Sequence, residues 1–174
     1  MDGAGMSTPT LDIRRAVASD AEVFRDLRLL ALQNEPDAYG STFAESSLRP
    51  STEWITMVTS MNYYLAFDGE RAVGMASGGE YAPYPYARWL YGMFVRPEYR
   101  GTGVAHDLVR EVARWTREQG SDQLGLHVTT TVHRAVAFYE RLGFVKSGPP
   151  EPMDRDRRLL LQVMTTNVRT NDRL

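Results

Sequence analysis

The residues with the clearest potential for binding chemistry follow a short apolar run that ends at Val95. This run is rich in aromatic residues, as in a buried strand, and Pro97 removes a backbone donor and ends it. Gly101 and Gly103 then permit a tight turn whose backbone amides carry no side-chain cover. From Val104 the apolar residues repeat at helical spacing. Because the first turn of a helix has unpaired N–H groups and a positive dipole end, this order predicts an anion site.

The spacing of this turn differs from that of the two common phosphate-binding loops. It reads Arg-x-x-Gly-x-Ala from Arg100 to Ala105, with no Lys-Ser/Thr after it and no G-x-G-x-x-G pattern. The turn is therefore neither a P-loop nor a dinucleotide-binding fingerprint. On the glycines alone, a turn that only joins two packed elements is an alternative interpretation.

Composition limits the classes of function. A formal net charge of −2, with no long run of one sign, does not support a nucleic-acid partner. The lack of cysteine excludes disulfides, thiolate metal sites and acyl-cysteine intermediates. His106, His127 and His133 lack the close spacing of a zinc helix, so no metal is predicted. No apolar run approaches the ~18 residues of a membrane span and no signal peptide is visible, so we expect a cytoplasmic protein with no membrane partner.

The elements that must position the anion site belong to one predicted domain. The chain of 174 residues is expected to fold as a single globular domain over residues 11–168. Residues 1–10 are small and polar and predict a disordered lead, within which Met6 is as good a start as Met1. Residues 169–174 predict a polar tail. Strand and helix patterns alternate around a run of hairpins, which predicts an α/β fold with a mixed sheet and helices on both faces.

The first half of the chain carries two helix-start signals and a hairpin signal. A capping-box pattern begins at Ser19, and Thr52 is predicted to cap the second helix. Asp68-Gly69 predicts a hairpin turn. Residues 34–50 between the helices read as a long connection, which we expect to form one wall of a substrate cleft.

The second half alternates between strand and helix. The helix that starts at Val104 is predicted to end at Gly120, and residues 123–128 form a strand with His127 on the face opposite its leucines. A further helix ends before Gly143. Residues 147–157 are rich in proline and charge and predict a mobile loop, which a last strand follows.

Two stretches resemble signatures of the GNAT N-acetyltransferase superfamily. Residues 90–109, L-Y-G-M-F-V-R-P-E-Y-R-G-T-G-V-A-H-D-L-V, are similar to that family's acetyl-CoA pyrophosphate motif. Residues 126–144, L-H-V-T-T-T-V-H-R-A-V-A-F-Y-E-R-L-G-F, are similar to its second signature, where a strand leads to a helix ending Tyr-x-x-Leu-Gly-Phe. The resemblance covers residues 11–168 in element order. It implies a GNAT-like fold, a mostly antiparallel mixed sheet of about seven strands flanked by about four helices.

By this resemblance the chain is an acetyl-CoA-dependent N-acetyltransferase. Strands 88–95 and 123–128 would separate to admit the pantetheine arm, which can bind an open strand edge as another strand would. Val132 stands where the family usually has an Asn, so one polar contact with the cofactor is expected to be missing. The implied cofactor-binding residues are Met93, Phe94, Val95, Arg100, Gly101, Thr102, Gly103, Val104, Ala105, His106, Val132 and Tyr139.

The resemblance also implies catalytic roles. Tyr139 falls at the position of the general acid, which protonates or hydrogen-bonds the departing thiolate; a core aromatic on a helix face is the alternative. The acceptor amine arrives protonated, with a pKa of ~10, and must lose that proton. His127 stands where some members have a Glu and is the candidate general base, with Glu80, acting through a water, as the rival. For His127 the alternative is a partly buried strand residue without a catalytic role.

Two other functions fit the same sequence. A GNAT-like module could sense acyl-CoA without transferring the acyl group, and an unrelated nucleotide-binding α/β domain is a weaker alternative. The expected partner is a small-molecule or peptide amine, whose identity no loop motif reveals. The oligomeric state, a homodimer included, also stays open.

Overall fold

One seven-stranded sheet runs through residues 11–174, the part of the chain that the computed structural model describes. Its strands lie in the order β1-β2-β3-β4-β5-β7-β6, and every neighbouring pair is antiparallel except β4 with β5. The elements are β1 Leu11–Arg15, α1 Ala21–Asn34, α2 Phe43–Ser47, α3 Ser51–Ser60, β2 Asn62–Asp68, β3 Arg71–Gly79, β4 Ala87–Val95, α4 Val104–Glu118, β5 Gln123–Thr129, α5 His133–Arg141, β6 Val145–Met153 and β7 Asp156–Asn167.

The predicted α/β fold with a mostly antiparallel mixed sheet is confirmed, with one helix more than expected. Residues 11–174 contain five α-helices, and the additional one, α2, lies in the segment 34–50 that the sequence predicted as a loop. Thr42 begins it with a capping box, because its hydroxyl accepts the N–H of Glu45 while the Glu45 carboxylate accepts that of Thr42. The predicted disordered lead, residues 1–10, lies outside the described residues.

Both predicted helix caps in the first half are wrong. Instead of a Ser19 cap, a short 3-10 turn precedes α1, and the Asp20 carboxylate accepts the Val17 N–H at 2.8 Å. Thr52 lies inside α3, which begins at Ser51 directly after Pro50. The predicted hairpin is correct, but its two-residue turn starts one residue later, at Gly69, because Asp68 still pairs with Arg71.

Residues 147–157 are not a loop. They form most of β6, the turn after it and the start of β7. The prolines of β6 lack N–H donors, which excludes them from central strands but not from the edge of a sheet, where β6 lies. The β6–β7 register shifts between Ser147 and Glu151, where Pro149 and Pro150 interrupt the ladder.

Each face of the sheet carries its own apolar core. On one face, α4 and α5 pack through residues such as Leu108, Val112 and Tyr139 against Leu124 and Leu126 of β5. On the other, α1 and α3 pack against β2, β3 and β4, with Phe24, Leu27, Trp54, Leu65 and Phe94 at the centre. Residues 169–174 lie against the end of α5, where the Asn171 amide donates to the Leu142 carbonyl at 2.7 Å.

The two parallel strands separate halfway along their length, as the resemblance predicted. Their pairing ends at Leu90 with Leu126, while β4 continues to Val95 and β5 to Thr129. Gly92 has a φ of +61°, a left-handed conformation that glycine adopts without strain, and it lies where the β3–β4 register shifts. Between residues 11 and 174, every helix is too short or too polar to cross a bilayer.

Candidate active site

A cavity of about 460 Å³ fills the gap between the separated ends of β4 and β5. Its walls are the second half of β4, the turn before α4, the end of β5 and one side of α5. Glu35, Ala38 and Tyr39, from the connection after α1, close it on another side. This connection is fastened to the sheet, since Thr129 Oγ1 donates to the Asp37 carbonyl at 2.7 Å. Three residues of the segment 34–50, which was predicted to form a wall of a substrate cleft, therefore line this cavity; its use by a substrate stays a prediction.

One end of the cavity is the predicted anion site. Gly101 and Gly103 have φ values of +76° and +94°, and both line the cavity. The first α-helical hydrogen bond of α4 runs from the Asp107 N–H to the Gly103 carbonyl, so the N–H groups before Asp107 have no intrahelical acceptor. Ala105 and His106 line the cavity, whereas Thr102 is exposed and the Val104 side chain is buried in the core. Val104 can therefore contribute only through its backbone, while the Thr102 hydroxyl already donates to the Tyr99 carbonyl at 2.5 Å.

Arg100 is tied to the protein rather than pointing freely to solvent. Its Nε donates to the Val95 carbonyl at 3.2 Å, and its Nη2 lies 2.5 Å from Oε1 of Glu35. Arg134 at the start of α5 contacts the same oxygen at 2.5 Å. One carboxylate neutralises only one of the two guanidinium groups, so this end of the cavity keeps a net positive charge. The sequence did not indicate roles for Glu35 and Arg134, because Glu35 lies 65 positions from Arg100 and 99 positions from Arg134.

The free edge of β4 presents backbone groups to the cavity. The Arg96 N–H pairs with the Val73 carbonyl of β3. Because the backbone N–H and C=O groups of successive residues point to opposite sides of a strand, those of Val95 and Met93 point away from β3 and toward the cavity. The side-chain bonds agree, because the Tyr39 hydroxyl donates to the Met93 carbonyl at 2.8 Å. Phe94 turns its backbone toward β3. The N–H of Val95, and not that of Phe94, is therefore placed to donate to a group bound in the cavity.

Tyr139 lies deep in the cavity wall. Its side chain is only 5% exposed and packs edge-on against Phe138 and Phe144. Its hydroxyl makes no hydrogen bond to any residue within 11–174 and is not sealed from the cavity. Burial raises the pKa of Tyr139, and the nearby Tyr39 raises it further, so the hydroxyl stays protonated and can donate.

His127 also lines the cavity, whereas its rival Glu80 does not. The imidazole Nδ1 accepts the indole N–H of Trp89 at 3.0 Å. Burial lowers the pKa of His127, and the carboxylate of Glu151 opposes this shift. The Glu80 side chain is 84% exposed and lies 3.9 Å from the Arg88 guanidinium, away from the cavity. The structure thus brings His127 and Tyr139 to one cavity but leaves Glu80 outside.

Val132 precedes α5 and lines the cavity with an apolar side chain. Its backbone N–H donates to the Thr129 carbonyl at 3.0 Å, so this N–H is not available to a ligand. The described residues contain no cluster of three or more His, Cys, Asp or Glu that could hold a metal ion.

Sequence comparison places these features in a known family. The acetyltransferase (GNAT) family model matches residues 27–144. Human N-acetyltransferase 8 is 31% identical over 119 residues, covering 58% of this chain and 52% of that protein. Rat N-acetyltransferase 8B is 33% identical over 89 residues, covering 49% of this chain and 40% of that protein. The chain thus spans about half the length of the curated relatives it matches.

Solved structures share the fold. A GNAT-family acetyltransferase from Streptococcus pneumoniae superposes with a TM-score of 0.74 at 21% identity, covering 90% of this chain and 98% of that one. The Salmonella typhimurium protein yncA, solved with its cofactor acetyl-CoA, gives 0.75 at 15% identity, covering 91% and 94%. The ribosomal-protein-alanine N-acetyltransferase of Brucella melitensis gives 0.72 at 20% identity, covering 90% and 99%. The family match, the shared fold and the cavity between the separated strands agree, and the chain belongs to the GNAT acetyltransferase family.

Proposed function

We propose that this chain is an acetyl-CoA-dependent N-acetyltransferase that passes the acetyl group directly to an amine in a ternary complex. One observation carries the proposal: a single cavity joins a helix start and a tyrosine hydroxyl, both without partners among the described residues, to an open strand edge. These three features match the diphosphate, the amide-containing arm and the thioester sulfur of acetyl-CoA, in the order in which that molecule carries them.

The anionic end of the donor fits the start of α4. The free N–H groups from Gly101 to His106 converge there, and the helix dipole favours negative charge. The excess positive charge of Arg100 and Arg134 over Glu35 adds to this attraction. Both arginines lie close enough to the cavity to line it.

The pantetheine arm fits the free edge of β4. Its amides are in line and can bond to the N–H and C=O groups of Met93 and Val95, as a strand would. In this structure the Tyr39 hydroxyl and the Arg100 guanidinium donate hydrogen bonds to these two carbonyls. We expect both side chains to break these bonds when the arm binds. The N–H of Val95 would then stabilise the negative charge that develops on the thioester oxygen.

Most of the acceleration comes from holding the amine against the thioester, because effective molarity contributes ~7–11 kcal/mol in well-oriented reactions. Tyr139 would hydrogen-bond the departing sulfur. Thr102, Val104 and Phe94 act through backbone or packing, and Val132 supplies only apolar contact. Glu80 stays a predicted base that could act only through bridging water. The amine class of the acceptor, a homodimer and a cytoplasmic location also stay predictions.

The test measures binding and turnover on the same protein. Calorimetry should detect coenzyme A and acetyl-CoA binding, and acetyl-CoA should release free thiol only when an amine is added from a panel of amino acids, peptides, polyamines and aminoglycosides. Binding with no thiol release from any amine would indicate a sensor. No binding at millimolar coenzyme A would overturn the donor assignment.

A further inference from the structure

Trp89 and His127 form a hydrogen-bonded pair that decides where the imidazole carries its proton. An indole N–H can only donate, so Nδ1 of His127 must be the acceptor at their 3.0 Å contact. A neutral imidazole then has its proton on Nε2. Turning the ring over would place a carbon-bound hydrogen against the indole N–H, so the pair also selects the ring orientation.

The pair is held rigidly by its surroundings. Trp89 is fully buried, and a side chain at Gly125 would overlap its indole, so the ring lies directly on the backbone of β5. Tyr81 and Tyr84, from the loop between β3 and β4, cover it with ring centroids 4.6 and 5.1 Å away. The indole therefore cannot turn away to release Nδ1.

His127 lines the cavity, and the groups that face it leave Nε2 without a partner among the described residues. Tyr81 contacts the imidazole edge-on at 4.9 Å, Glu151 acts on it from β6, and Val163 of β7 lies beside it in the sheet. Nε2 has no hydrogen-bond partner within residues 11–174 and is not sealed from solvent. A second proton would set an N–H at Nδ1 against the indole N–H, so the neutral form with a single donor is favoured.

The other carboxylate and imidazole that line the cavity are engaged by protein groups. Glu35 is held by two guanidinium groups at 2.5 Å each. A ring nitrogen of His106 contacts the Arg173 carbonyl at 2.7 Å, at the opposite, anion-binding end. The cavity lining within residues 11–174 thus includes no unengaged base, and Glu80 lies outside that lining. An acceptor that arrives with its amine already unprotonated needs no base from the lining.

We propose that His127 is a neutral hydrogen-bond donor positioned by Trp89, and that the enzyme favours acceptors with α-amino groups over lysine-type amines. This rests on the proposed acetyltransferase function. An α-amino group has a pKa of ~7.7–8.0 against ~10.4 for a lysine side chain, so its unprotonated fraction near neutral pH is on the order of a hundredfold larger. The carbon that bears an α-amino group is also bonded to a carbonyl group. The oxygen of that carbonyl can accept a hydrogen bond from the Nε2–H of His127.

The reaction balances without a base on the protein. The lone pair of the neutral amine forms the C–N bond to the thioester carbonyl carbon, and the C–S bond breaks with its electron pair on sulfur. The nitrogen loses one proton and the sulfur gains one. Products are the N-acetyl amide and free thiol, with the Tyr139 hydroxyl hydrogen-bonded to the sulfur.

The first experiment reads the tautomer directly, without any turnover. Nitrogen-15 NMR of the wild-type protein, with His127→Gln used to assign the signal, should show a proton on Nε2 and none on Nδ1 between about pH 6 and 9. Trp89→Phe keeps a buried ring but removes the donor, and should restore a mixture of tautomers. Tyr84→Phe is the matched control and should change nothing. A wild-type imidazole that carries its proton on Nδ1, or that titrates near ~6.5, would overturn the proposal.

The second experiment uses acceptors of different basicity. The acceptors are an alanine-terminated dipeptide and Nα-acetyl-lysinamide. For each of them the rate should rise with pH around the pKa of its own amine. Near neutral pH the dipeptide should react on the order of a hundredfold faster. His127→Gln, which keeps a donor, should retain more activity than His127→Ala. An inflection of the pH–rate profile near pH ~6.5 that is absent in His127→Gln would identify His127 as a general base and refute the proposal. Equal rates for the two amines would refute the substrate class, while a complete lack of turnover would count only against the acetyltransferase function.

Discussion

At the scale of single residues, the site depends on which polar atoms are already engaged. Tyr139 and His127 both line the cavity, but the tyrosine hydroxyl has no partner within residues 11–174 while one imidazole nitrogen is taken by Trp89. Residue type alone makes both of them acid–base candidates. Burial raises the pKa of the phenol and lowers that of the imidazole, so the hydroxyl stays protonated and the ring stays neutral, and each can donate a hydrogen bond.

Tyr139→Phe removes only the hydroxyl and keeps the ring that packs on Phe138 and Phe144. We expect turnover to fall about tenfold or more, because the departing sulfur loses its donor, while the Kd for acetyl-CoA changes by less than about twofold. Steady-state kinetics and calorimetry on the same preparation measure the two effects. Tyr86→Phe, at an exposed position, is the control. Unchanged turnover would remove Tyr139 from the mechanism.

At the scale of elements, the start of α4 is the feature that we propose binds the donor. Gly101 and Gly103 both have positive φ, and no atom of residues 11–174 lies within 4 Å of a Cβ added at either position. The space around the turn is therefore open to a ligand, and the backbone amides face it.

Gly103→Val should weaken coenzyme A binding by well over tenfold, since the valine covers the amides and strains the turn. Gly120→Val is the matched control, because Gly120 follows the other end of the same helix with a φ of +74° and equally open surroundings. Both variants should lose similar stability in thermal unfolding. If Gly103→Val binds coenzyme A as tightly as Gly120→Val does, the phosphate assignment is wrong.

The start of α1 depends on a buried carboxylate in place of the predicted cap. Asp20, only 6% exposed, accepts the Val17 N–H and two hydrogen bonds from the partly exposed Arg14 at 2.8 Å. The bond from Arg14 lowers the pKa of Asp20. Asp20→Ala should lower the free energy of unfolding by about 1–3 kcal/mol at neutral pH.

The pH dependence of this effect has a definite sign. A carboxylate with a lowered pKa contributes stability above its unfolded pKa of ~3.9, and this contribution is lost as the pH falls through the folded value. Urea unfolding of both proteins at neutral pH and near pH 3 should therefore show the difference shrinking in acid. A difference that is the same at both pH values would contradict the role of the ionised carboxylate.

At the scale of the whole molecule, the sheet is the shared wall of two cores. Leu65 contributes to the core under α1 and α3, and Leu126 to the core under α4 and α5; both are 0% exposed. The cavity lies where this wall opens, between β4 and β5. The two cores should unfold together, because neither has a sheet of its own.

Leu65→Ala and Leu126→Ala should each lower the free energy of unfolding by about 2–5 kcal/mol, in a single transition detected alike by circular dichroism and tryptophan fluorescence. Leu48→Ala, where the leucine is 84% exposed, should cost less than about 0.5 kcal/mol. Two separate transitions in either core variant would contradict the prediction of one domain over residues 11–168.

Local features of the fold, which depend on residues a few positions apart, could be predicted from the amino-acid sequence. The glycine turn before α4, the apolar face of that helix and the alternation of Leu124, Leu126 and His127 were predictable, because helix, strand and turn preferences act over a few positions. The two family signatures are equally local, so they predicted the fold and indicated the glycine turn for which we propose cofactor binding.

Only the tertiary structure decided which groups in the cavity are engaged. Glu35 joins arginines 65 and 99 positions away, Tyr39 reaches the Met93 carbonyl across 54 positions, and Trp89 fixes His127 across 38. The strand β6, with its prolines, exists because it lies at the edge of a sheet whose order the local sequence does not encode. Protonation and charge at the site depend on these distant partners, and no spacing along the chain specifies them.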